Sequence, residues 1–364
     1  MKYTKEELCI IWLDSFTGLE NRHKRELYGH IKDSDGIKSV VEKSRDYIVG
    51  NCDQKTFDTL TAAANNSYLE FTLSALERSK VKAVTAESEE YPTLLKETAC
   101  PPLVLYAKGN TSLLNSDCFS IVGSRKSLPI SVKFAEDYSA ALGKEFTLVT
   151  GIAEGVDAAV LSTALKTGAN AISVVAGGLN SVYPKENYAL FTRVAESGLV
   201  ISEFPPEVTP LPYFFPARNR IIAGLSKGTL IVSGGKKSGT LYTAGYAADY
   251  GRDVFAVPYT PDTPSGAGCN DLIKQGAVLT TGPADILGYY GKEEKKKEKQ
   301  DLSPEEKAIA SALDDGEKHV DKICALTGKE IYEIMPILSM LEIKGVIVKS
   351  GINVYGLTRK YSEE

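Results

Sequence analysis

The chain of 364 residues is long enough for one large domain and one or two small ones, and its 43% hydrophobic content suits a packed core. A formal net charge of −5 argues against a uniformly basic nucleic-acid binder but leaves room for a local basic groove in an acidic body. No apolar run reaches the length of a membrane span, the start MKYTKEELCIIWLDSF lacks a signal peptide's basic region and cleavage site, and the six cysteines and three histidines show no metal-ligand spacing. The expectation is a cytoplasmic protein with reduced thiols and no metal or other cofactor.

In chain order, residues 1–80 read as a small helical unit: Leu8, Ile11, Trp12 and Leu13 form an apolar stripe, Gly18 breaks it, and helical patterns follow at Arg22–Ile31, Ile37–Val41 and Phe57–Leu76. The stretch from Val81 to Asn110, with its β-rich Leu103–Tyr106, reads as a connector adding an edge strand to the next domain. From Phe119 to about Tyr290, strands are predicted at 119–122, 146–150, 171–175, 199–202, 229–233 and 254–257, with helical patterns between most of them. That alternation marks βαβ units and a parallel, doubly wound sheet in an α/β domain over 81–290. The nearly all-charged run KEEKKKEKQ predicts a solvated linker over 291–300. Beyond it, 301–364 open on a Ser303-Pro304 helix start, continue through His319–Leu326 and Glu330–Ile343, and end in a hairpin around Ser350-Gly351. Three helices and a hairpin form a winged-helix pattern. The helix that would enter a groove, over Lys329–Met340, carries one lysine and two glutamates and is a poor groove reader, which favours protein docking over duplex readout.

The strand ends carry the polar residues. Gly123-Ser124-Arg125 places a tight turn, a hydroxyl and a planar five-donor fork at the carboxyl end of the first parallel strand, where open α/β sheets bind ligands. Gly151 opens Gly-Ile-Ala-Glu-Gly-Val-Asp157 at the next strand end, and Tyr183-Pro184-Lys185 adds an aromatic plane and a cation. Ser238, Gly239 and Thr240 begin a helix whose N–H groups and dipole favour an anion. Phe215, Arg218 and Asn219 lie in one helix start, where aromatics and cations supply the two ingredients of a single-strand groove, whereas Phe214 and Arg220 read as core and as a structural arginine. The dinucleotide pattern G-x-G-x-x-G is absent from the first turn, and Lys237 stands where a P-loop needs Ser or Thr. No catalytic constellation emerges, so the chain does not read as an enzyme; Glu203 is the one strand-end carboxylate, and it reads as fixing a loop.

These segments together resemble the DNA-processing DprA/Smf family. The motifs are Gly123-Ser124-Arg125, Thr150 to Asp157, Gly178 to Asn187, Ser202-Glu203-Phe204-Pro205, Phe215 to Ser226, Ser238 to Ala244, Gly251 to Pro258 and Gly268 to Ile273, and the resemblance covers essentially the whole chain. The resemblance implies an extended Rossmann-like core, a SAM-like helical domain before it and a winged-helix domain after it. It further implies homodimers that coat single-stranded DNA and help load the RecA recombinase in natural transformation. Carried over by motif, Arg125 and Lys185 would meet phosphates, Phe215 and Arg218 would lie near bases, and Asn270 would line the pocket. The pattern departs where Pro212-Tyr213-Phe214 lacks the lysine usual before Phe-Pro, and at Ser233-Gly234, Pro258-Tyr259 and Leu161. Two other readings use the same residues: a nucleotide-ligand sensor or phosphoribohydrolase-like enzyme, since such domains also cradle phosphate on a Gly-Gly…Gly-Thr stretch, and an adaptor acting through its terminal domains. The glutamate that phosphoribohydrolases place after Gly-Thr is missing here, where Thr240 is followed by Leu241.

Overall fold

The computed structural model describes residues 3–292 and 302–358, so most of the charged run predicted as a linker lies outside the described residues. The chain divides into two compact units, 1–294 and 295–364. No helix among the described residues is long and apolar enough to cross a membrane.

Six helices open the first unit: α1 (Lys5–Asp14), α2 (Asn21–Gly29), α3 (Ile37–Lys43), α4 (Arg45–Asn51), α5 (Gln54–Ala63) and α6 (Asn66–Arg78). The single helical pattern expected over 57–76 is split because the Asn65 side chain accepts from Tyr68 N and caps a new helix. The sheet follows as β1 (Lys82–Thr85), α7 (Thr93–Lys96), β2 (Val104–Gly109), β3 (Cys118–Val122), α8 (Pro129–Leu142), β4 (Thr147–Thr150), α9 (Val156–Thr167) and β5 (Ala171–Val174). It continues through α10 (Tyr188–Ser197), β6 (Leu199–Ser202), α11 (Phe214–Leu225), β7 (Gly228–Ile231), α12 (Thr240–Asp249), β8 (Asp253–Ala256), α13 (Ala267–Lys274), β9 (Val278–Leu279) and α14 (Pro283–Tyr289).

Nine strands run in the order β1-β2-β6-β5-β4-β3-β7-β8-β9, parallel from β6 to β9. The connector supplies two strands where the sequence suggested one. β2 pairs antiparallel with β6 on one side and with β1 on the other, so the edge strand is Lys82–Thr85. Both faces of the parallel strands are buried, as a near-continuous apolar run requires. On β3, Phe119 and Ile121 join a core that includes residues of α1, α2, α8, α9 and α10, whereas Cys118 and Val122 join a second core with residues of α7, α11 and α13.

The helical start is tied to the sheet by a buried polar knot. Lys24 Nζ donates to Asp14 Oδ1 at 3.2 Å and to Asp14 O at 2.8 Å, and the Tyr106 hydroxyl on β2 donates to Asp14 Oδ2 at 2.9 Å. Every charge in this dry knot has a partner, which is what makes its burial tolerable.

The second unit contains α15 (Pro304–Ser311), β10 (Lys318–His319), α16 (Val320–Thr327), α17 (Ile331–Ile343), β11 (Ile347–Gly351) and β12 (Val354–Leu357), with a three-stranded sheet in the order β10-β12-β11. This is a winged-helix arrangement around a core of Ile309, Ile323, Ile334, Leu338, Leu341 and Tyr355. The hairpin turn lies later than the Ser350-Gly351 expectation. Gly351 is still paired with Val354, and Asn353 takes the left-handed conformation (φ 57°) that asparagine tolerates better than most side chains.

Candidate nucleic-acid interface

A cavity of about 800 Å³ opens at the carboxyl ends of β3, β4 and β7. Gly123, Ser124 and Arg125 line it from the end of β3, together with Lys126; Asp157 enters from α9, Phe215, Arg218 and Asn219 from α11, and Ser238, Gly239 and Thr240 from the start of α12. Nine of the twelve candidate site residues therefore share one wall, with Asp157 and Tyr183 beside them. Gly151, Lys185 and Asn270 do not line it.

The β3 turn is held by its neighbours. Ser124 N donates to Ser233 Oγ at 3.1 Å, and Val156 N donates to Ser124 O at 3.3 Å. Beyond this fixed turn the exposed Arg125 guanidinium lies over the Phe215 ring, 4.8 Å from its centroid, and Tyr183 packs edge-on to the same ring at 5.7 Å. A cation resting on an aromatic face keeps its N–H edge free for phosphate oxygens, while the two rings offer apolar planes. Among the described residues, neither Arg125 nor the exposed Lys185 has an ion-pair partner.

Arg218 is different in kind. It is only 6% exposed, its Nη1 donates to Val174 O, and its Nε donates to Asn219 Oδ1 at 3.2 Å. Burial lowers its pKa to about 10, with Asp157 opposing and Arg125 reinforcing the shift, so it stays charged at neutral pH. Burial likewise pushes the Asp157 carboxyl up, and the Arg218 charge pulls it back. Both side chains crowd the α-carbon of Gly151: a methyl group there would lie 2.8 and 2.9 Å from the two terminal guanidinium nitrogens and would overlap Asp157 Oδ2. Gly151 thus makes room for the Arg218 and Asp157 side chains to converge at the cavity wall.

Asn219 reaches across to α12, where its Nδ2 donates to Gly239 O at 3.2 Å. Ser238 Oγ accepts from Thr240 N at 3.3 Å and sits 3.0 Å from Thr240 Oγ1, so part of the helix start is satisfied internally. Asn270 is occupied at both ends of its amide, accepting from Tyr259 N at 3.0 Å and donating to Tyr259 O at 2.9 Å. It holds the loop after β8. Arg220 and Glu203 form a buried ion pair, with Arg220 Nη1 also donating to Cys100 O at 2.7 Å. Glu203 is thus a loop-fixing carboxylate with its charge engaged. The wall also includes Lys126 and Pro210, which the sequence did not single out; the signal available for Lys126 was its place directly after Arg125.

The sequence model of the family described as DNA recombination-mediator protein A matches residues 82–291, and that of the DprA winged helix domain matches residues 293–351. The chain belongs to the DprA/Smf family. Among its relatives, Protein Smf of Escherichia coli is 34% identical over 297 residues, covering 77% of this chain and 78% of the relative. Protein Smf of Synechocystis is 33% identical over 306 residues, covering 72% and 77%. The X-ray structure of DprA from Streptococcus pneumoniae superposes with a TM-score of 0.69 at 32% identity, covering 79% of this chain and 98% of that one. DprA from Helicobacter pylori, whose structure describes a single-stranded DNA binding mode, gives 0.53 at 27% identity and covers 58% and 95%.

Proposed function

We propose that this DprA/Smf chain is a single-stranded DNA-binding recombination mediator that works without catalysing a reaction. Its role is DNA processing in natural transformation: homodimers in the cytoplasm receive incoming single strands and pass them to RecA. We read residues 1–80 as its SAM-like domain, 81–290 as the DNA-binding domain, 291–300 as a linker and 301–364 as a winged helix used for protein docking. The observation that carries the DNA reading is Arg125 lying on the Phe215 face at the mouth of the strand-end cavity, beside Tyr183. A phosphate-seeking cation beside base-sized apolar planes is the pairing that a single strand needs and a duplex, with its bases stacked inward, cannot use. Lys185 would add a phosphate contact from the neighbouring loop. A competition titration tests this: labelled oligo-dT bound to the protein is displaced by unlabelled single strand or by duplex. Preference for single strand by about tenfold or more is expected. Equal displacement by duplex would overturn the reading, and release of ribose phosphate from a nucleotide panel would replace it with hydrolysis.

A further inference from the structure

A second groove, of about 550 Å³, lies where the end of α6 and β2 meet the loops after β5 and β6. Arg78, Lys80 and Lys108 line it with Ser79, Asn180 and a single carboxylate, Glu207; its wall contains no aromatic residue. Arg78 and Lys80 are exposed, Lys108 is half-buried, and none of the three has an ion-pair partner among the described residues. Three cations converging on one depression without neutralisation favour an anion there. The carbonyls at the end of α6 would oppose it, but Ser79 N, Lys80 N and Val81 N donate to Ala75 O, Glu77 O and Leu76 O and so blunt that end of the dipole.

The groove is joined to the strand-end cavity by two interlocked loops. Gly178 N donates to Val208 O at 2.8 Å and Asn180 N to Pro206 O at 2.9 Å; a methyl group on Gly178 would overlap the Pro205 and Pro206 carbonyls, so only glycine permits this approach. Asn180 Nδ2 ties the pair together, donating to Glu207 Oε1 at 2.6 Å and to Ser79 Oγ at 2.9 Å. Asn180 and Glu207 face the groove, while Tyr183 and Pro210, three residues further along each loop, face the cavity. Three residues of extended chain span at most about 11 Å. A polymer leaving the cavity past Tyr183 thus reaches the groove within a few nucleotides.

We infer that the Arg78–Lys80–Lys108 groove is a second phosphate-binding station, which holds the backbone of a single strand after its bases have left the strand-end cavity. The inference rests on the proposed single-strand binding and extends it from a pocket to a path that includes the helical start of the chain. Lacking aromatic planes, the groove contacts phosphates and does not read bases.

The test is a titration of labelled oligo-dT from about 5 to about 30 nucleotides, bracketing the range of sites that one groove spans. It compares wild type with the R78Q/K80Q/K108Q variant across salt. Glutamine keeps the polar stems at these surface positions, and a melting curve confirms that the variant is folded. On long oligomers the variant should bind about tenfold or more weakly at low salt and lose roughly 2 units of log–log salt slope, while short oligomers bind as they do to wild type. E207Q, which removes the one carboxylate and keeps an acceptor for Asn180, should tighten long oligomers about twofold to threefold. Unchanged affinity of the triple variant for long oligomers overturns the station, as does an equal loss at every length. Absence of wild-type binding at any length instead overturns the single-strand reading beneath it.

Discussion

Replacing Arg218 with methionine is expected to lower the unfolding free energy by about 3 kcal/mol, because it removes the buried cation whose charge offsets that of the buried Asp157 carboxylate. The loss has two parts. Asp157 stays buried beside the empty position, and Val174 O loses the Nη1 donor that satisfies it. In a D157N background the same substitution should cost less, since the uncompensated carboxylate is gone. Denaturant titration of the two single variants and the double variant measures this directly, with a coupling of about 1 kcal/mol or more expected. Strict additivity would mean that Arg218 and Asp157 do not act as a pair. Both side chains crowd Gly151, and the space it leaves is what lets them share the cavity wall.

Replacing Phe215 with alanine is expected to weaken oligo-dT binding by about 2 kcal/mol, or roughly thirtyfold, with little change in the salt slope. Phe215 carries the apolar plane and no charge. Losing it removes a stacking surface and the platform under Arg125, whose guanidinium lies 4.8 Å from the ring centroid, but leaves the phosphate-seeking cation itself in place. F215L, which keeps apolar bulk without a flat face, should recover stability and not affinity. Wild-type affinity in F215A, measured by anisotropy, would show that bases do not stack at this ring.

The sheet was largely legible because buried parallel strands declare themselves as short apolar runs ending on small polar residues. β3, β4, β5, β6, β7 and β8 fall within one or two residues of their expected positions. β1 was not legible, since Lys82–Thr85 becomes a strand only by pairing with β2 some twenty residues later, and local pattern does not encode that. Most site residues were visible as glycine turns and cations at strand ends, but their division of labour was not. Arg218 and Arg220 share one helix and one chemistry; two residues apart they point to different sides of α11, one toward Val174 and Asn219, the other toward Glu203 and Cys100. Asn270 is a pocket residue only by family resemblance, and nothing in its local sequence shows that its amide accepts from Tyr259 N and donates to Tyr259 O. The residues themselves point to Arg218 and Arg220 and the family resemblance to Asn270, and the packing shows how each side chain is held.

Arg125 is the point on which the account turns, an exposed cation on an aromatic face at the first strand end of the cavity. The most direct test is the salt dependence of oligo-dT affinity for wild type and R125A. Loss of one phosphate contact should flatten the log–log slope by about 0.7 and lower affinity most at low salt. An R125A slope and affinity identical to wild type would contradict the assignment of this turn as a phosphate contact.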